Sequence, residues 1–119
     1  MTGSYSMLAK QMIDNALISD LYAQFVKQLQ KDFNRGGVDY VIQNKDPQKL
    51  YYEIVDLLSE KLQYDSGQFS SLLYAVDVSE TSILKFEPEN RSSIAEYITY
   101  LIFKREWQKV CYRNDNKIN

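Results

Sequence analysis

Between Leu8 and Phe33, apolar residues fall at Ile13, Leu17, Leu21, Phe25 and Leu29, with Ile18, Tyr22 and Val26 alongside. That spacing of three and four lines one face of a helix. It predicts one long helix that stops near Arg35, where Gly36 and Gly37 can take up positive φ without a steric penalty. VDYVIQ, from Val38, is short and β-branched, but no second segment offers it a ladder, so it reads as an extended connector. Asp46-Pro47 then starts a second helix: Asp caps free amides, and Pro at the first position gives up an N–H that had no partner. Leu50, Ile54, Leu57, Leu58 and Leu62 form its buried stripe. Asp65-Ser66-Gly67 opens a third, shorter helix carrying Phe69, Leu72, Leu73 and Val76. Ser79 caps a short segment from Glu80 to Phe86 that Pro88 closes. Ser93-Ile94-Ala95-Glu96 is an S-x-x-E capping box that opens a last helix reaching about Tyr112. The fold class is all-α, a compact bundle of four principal helices plus one short helix. A single domain is expected over residues 8–113, with 1–7 a disordered or appended N-terminus and 114–119 a frayed tail.

The last helix carries the least regular pattern. Ile94, Ile98, Leu101 and Ile102 share one face, whereas Tyr100, Phe103, Trp107 and Cys111 fall on the other, so the apolar face is expected to change sides midway. Arg105, Lys109, Tyr112 and Arg113 continue the first line, and Lys104 to Arg113 carries a net +3 in a chain of −2. Cations do favour helix C-termini, and a central helix can be apolar all round. A partner-binding face is the alternative, with aromatic and arginine anchors at Tyr100, Phe103, Arg105, Trp107, Lys109 and Cys111.

Charge and composition then narrow the chemistry. Histidine is absent, which removes the commonest general base and the commonest transition-metal ligand. No glycine-rich phosphate loop is present, and no apolar run approaches the roughly 20 residues of a membrane span. Glu53, Asp56 and Glu60 could be imagined as metal ligands, but beside lysines and without His they read as a solvated helix face. The single cysteine, Cys111, suits a reducing compartment, hence a cytoplasmic location.

Val76-Asp77-Val78-Ser79-Glu80-Thr81-Ser82-Ile83 resembles the turn of bacterial helix-turn-helix units, over some fifteen residues in all. That resemblance implies a DNA-binding regulator using Ser79, Thr81, Ser82 and Lys85 at the groove. Asp77 stands where such units place Gly, Leu73 where they place a small residue, and Asp77 to Arg91 sums to −2, the wrong sign for a phosphate backbone. The sequence therefore favours a noncatalytic cytosolic protein acting through a protein partner or self-association, with no cofactor, no membrane segment and nucleic acid disfavoured.

Overall fold

The computed structural model describes residues 2–84 and 91–118, with side chains described for 5–83 and 94–115. Its described elements are all helices: α1 (Thr2–Ile18), α2 (Tyr22–Arg35), α3 (Pro47–Tyr64), α4 (Ser66–Val76), the short α5 (Glu80–Leu84) and α6 (Arg91–Ile118). The chain is an all-α helical bundle, and α6 is its axle, packing against α1, α2, α3 and α4.

The long first helix expected from the sequence is two helices. Asp20 adopts φ 58, Leu21 N–H reaches back to the Ala16 carbonyl (2.8 Å) and Asp20 N–H to that of Leu17 (3.1 Å). This is a Schellman stop with Asp in the left-handed position that Gly usually fills. The apolar stripe crosses it unbroken, which is why spacing alone does not reveal it. The same device recurs twice. Val38 N–H bonds to Phe33 O with Gly37 at φ 76, and Val78 N–H bonds to Leu73 O with Asp77 at φ 72. Of the glycine pair, then, only Gly37 supplies positive φ. Gly36 matters for space instead, because a Cβ there would stand 3.0 Å from Leu72 Cα; its lack of a side chain lets α2 and α4 backbones meet.

The termini drawn from the sequence also move outward. Helix α1 already starts at Thr2, and α6 continues to Ile118 with Asn114 buried, so residue 114 belongs to the packed helix and not to a frayed tail. Asn114 is held because its amide donates to Gln24 Oε1 (2.7 Å) and to the Val110 carbonyl (2.8 Å). Helix α6 begins at Arg91, two residues ahead of the expected capping box, and the Ser93 side chain lies outside the described residues, as do Phe86 and Pro88.

Residues 38–45 form the expected extended connector, satisfied by side chains in place of a strand. Gln30 accepts from Ile42 N–H (2.8 Å) and donates to the Tyr40 carbonyl (2.8 Å). Glu53 accepts from the Gln43 and Asn44 amides (2.7 and 2.8 Å) and from the Tyr40 hydroxyl. Burial would raise the Glu53 carboxyl, but these donors outweigh it and hold the group below its usual range. The phenol of Tyr40, half-buried and facing this carboxylate, is pushed up to about 12. Glu53 is thus committed to the connector, while Asp56 and Glu60 are exposed.

Candidate functional site

Helix α6 buries one continuous stripe: Ala95, Ile98, Thr99, Ile102, Phe103, Glu106, Val110 and Asn114. The apolar face does not change sides. At about 100° per residue Phe103 sits next to Ile102 within the same arc, and the line continues through Glu106 and Asn114, polar residues that a search for apolar spacing skips. The six residues proposed as one partner-binding face are therefore split three ways. Phe103 is core, edge-on to Phe25 at 5.3 Å and to Tyr51 at 6.4 Å between ring centres. Tyr100, Trp107 and Cys111 lie half-buried along one flank; Tyr100 is 6.2 Å from the Tyr5 ring of α1, and Trp107 packs against the core. Burial there pushes the Cys111 thiol up, away from thiolate reactivity. Arg105 and Lys109 occupy the opposite flank.

That flank is where charge collects. Arg105, Gln108, Lys109, Tyr112 and Arg113 line a surface groove of about 690 Å³, and the Tyr112 side chain stands 88% exposed. Arg105 reaches the Asp77 carboxylate at 3.0 Å, an exposed pair of small energetic value. Arg113 donates to Gln28 Oε1. Lys109 turns inward, 2.7 Å from Asp32 Oδ2, 3.5 Å from Glu106 Oε1 and 3.4 Å from the Ala75 carbonyl at the end of α4.

Beneath the groove lies the feature the sequence did not announce. Asp32 and Glu106, from α2 and α6, are both fully buried, and no donor group hydrogen-bonds Asp32 Oδ1 or either Glu106 oxygen. Two ionised carboxylates could not stay there. Burial, then the hydrogen bond and charge of Asp32, push the Glu106 carboxyl up to about 9, with Lys109 pulling the other way. Asp32 feels burial too, but hydrogen bonds from Glu106, Lys109 and Gln28 overcome it and hold its carboxyl below the usual range. Of the two, Glu106 is the carboxyl whose protonated form burial and the Asp32 charge favour. Gln24, Gln28 and Asp32 meet Asn114, Arg113 and Lys109 in reverse order, so α2 and α6 run antiparallel along this polar seam.

The helix-turn-helix-like stretch is a turn of the expected shape, with Asp77 left-handed, and local hydrogen bonds hold it. Ser79 Oγ accepts from Thr81 N–H (3.1 Å) as a cap, the Ser82 carbonyl accepts from Tyr97 (2.9 Å), and Leu73 is buried in the core. Lys85 lies outside the described residues. Among the described residues no cluster of three or more His, Cys, Asp or Glu could hold a metal ion, and no helix is long and apolar enough to cross a membrane. Comparison with protein-family models, curated proteins and solved structures finds no match to this chain.

Proposed function

We propose that this chain is a noncatalytic cytosolic interaction protein that receives an acidic protein segment in the Arg105–Arg113 groove of α6. The observation that carries this reading is the groove itself: three cations and a nearly free tyrosine gathered on one flank of α6, beside its buried stripe. Residues Lys104 to Arg113 carry +3 while the rest of the chain carries −5, so the surface is set apart by sign as well as shape. Tyr and Arg are the side chains that anchor protein contacts best, since each combines a broad planar area with a directed polar end. Asp77, against Arg105, borders the groove, and a short acidic segment can exchange for it on Arg105. The absence of histidine and the enclosure of Glu106 support a role without catalysis.

The test is affinity capture on the wild type and on Arg105→Glu/Arg113→Glu in parallel, with nuclease-treated extract and elution at rising salt. A protein held by the wild type, released by salt and lost by the charge reversal is the expected result. Equal capture by both forms would reject the groove as the contact surface.

A further inference from the structure

The carboxyl pair under the groove does more than fill the seam. We propose that Asp32 and Glu106 form a proton-held latch: one proton shared between them fastens residues 106–114 of α6 to α2, and its removal frees that stretch while Ile98–Phe103 stays seated.

The charges and hydrogen-bonding groups around the pair are few. From α2 come Asp32 itself, Gln28, whose amide donates to Asp32 Oδ2 (3.3 Å), and Arg35, 3.5 Å from Oδ1 and largely exposed. From α6 come Glu106, Lys109 and, through Gln28, Arg113. Helix α4 offers only the Ala75 carbonyl, and its sequence holds no charged side chain. The charges acting on Glu106 are those of Asp32 and Lys109. With Glu106 neutral, Asp32 and Lys109 balance, and the shared proton gives a hydrogen bond to oxygens whose other contacts are no closer than the 3.5 Å ion pairs with Arg35 and Lys109. With Glu106 ionised, two enclosed carboxylates face the Lys109 ammonium and, from the solvent side, the largely exposed Arg35, and water entering the seam relieves the added buried charge.

Opening there is local because the two halves of α6 are held differently. Ile98, Ile102 and Phe103 are seated in the apolar core, whereas beyond residue 105 the fully buried apolar side chain among the described residues is Val110 alone, with Trp107 half-buried beside it. Lys109 belongs to both the latch and the groove, so release also withdraws the central cation of the groove. That consequence rests on the groove being a contact surface; the latch does not.

The experiment is pulsed hydrogen exchange at pH 7 and pH 10 on the full chain, wild type against Glu106→Gln, read as protection of residues 110–114 relative to 98–103 in the same molecule. The ratio removes the intrinsic pH dependence of exchange. It should fall at least about tenfold in the wild type, the effect of one proton over one unit, and stay level in the glutamine variant, whose amide cannot ionise. A ratio unchanged in the wild type, or falling equally in both proteins, overturns the latch. Should Glu106→Gln fail to fold, carboxyl-carbon NMR of the wild type decides: Glu106 must keep its protonated shift through pH 7, and a normal carboxylate transition near pH 4.5 overturns the proposal. Neither readout involves a partner, so the latch and the groove fail separately.

Discussion

The two halves of α6 lie on one helix and one buried stripe, yet they are fixed by opposite means. Ile98, Ile102 and Phe103 are enclosed by Phe25, Tyr51 and other apolar side chains; Glu106, Lys109, Arg113 and Asn114 are tied to α2 by directed polar contacts. Apolar burial stabilises roughly in proportion to area and is non-directional, so it tolerates small shifts of the helix that keep the stripe covered. The polar half adds little net energy, because each group gives up water to enter, but it accepts one register only: a slip of one residue would leave Asp32 or Glu106 unpartnered. The first half supplies adhesion and the second supplies alignment.

Removing bulk from the apolar half should have the largest effect. Phe103→Ala is expected to cost about 3–5 kcal/mol, measured by urea unfolding, since Phe25 and Tyr51 cannot both close on the space. A cost under about 1 kcal/mol would mean the apolar half is not the anchor.

Next in size, Glu106→Gln should stabilise the protein, by about 2–3 kcal/mol at pH 7, because glutamine is neutral at every pH. The sign follows from which state holds the proton. Glu106 keeps its proton to about 9 when folded and loses it near 4.5 when unfolded. Below that lower value the two states bind the proton alike; as pH rises between the two values, the unfolded state is progressively favoured; above 9 the difference is constant. Asp32, whose folded carboxyl is depressed, works the other way, contributing stability that is lost as pH falls. Melts of the two proteins across pH 5–10 should therefore diverge toward the alkaline side.

A smaller effect, from outside both halves, calibrates partly exposed polar contacts. Glu53→Gln should cost about 1–2 kcal/mol, as a neutral amide oxygen replaces a charged acceptor of the Gln43 and Asn44 amides. Because the Glu53 carboxyl is held low, its contribution is present above the ordinary carboxylate range and disappears on acidification, so the variant should differ from wild type at pH 7 but hardly at pH 3. Smallest of all, Arg105→Ala should change stability by less than about 1 kcal/mol, since it loses only an exposed pair with Asp77. A larger loss would place Arg105 in the structural seam instead of on the free flank.

Much of the bundle is legible in the sequence where a local rule has a single physical cause. Asp46-Pro47 caps α3 with the Asp46 carboxylate accepting from Gln48 N–H at 2.9 Å, and Asp65 accepts from Gln68 N–H at 3.0 Å at the start of α4. The break at Asp20 is hidden because Leu17, Leu21 and Phe25 keep helical spacing across it, although Leu17 is in fact half out in solvent. The seam is hidden for a deeper reason. A sequence rule assigns Glu106 to the surface because the ionised form is costly to bury, and it takes enclosure by the bundle, together with the opposing Asp32 74 positions away, to make the protonated form the relevant one. The basic flank could be read from Arg105, Lys109, Tyr112 and Arg113, but not which of them face water.

The connector carries a constraint of a different kind. Connecting segments ordinarily accept insertions and deletions, because their backbone groups turn to water. Here Gln30 grips residues 40 and 42 from one helix, and Glu53 grips 43 and 44 from another. One added residue between Tyr40 and Asn44 would leave one grip or the other empty. This stretch should therefore be free to vary in side chain at exposed Val41, yet fixed in length, a pattern the reverse of that usually met between helices.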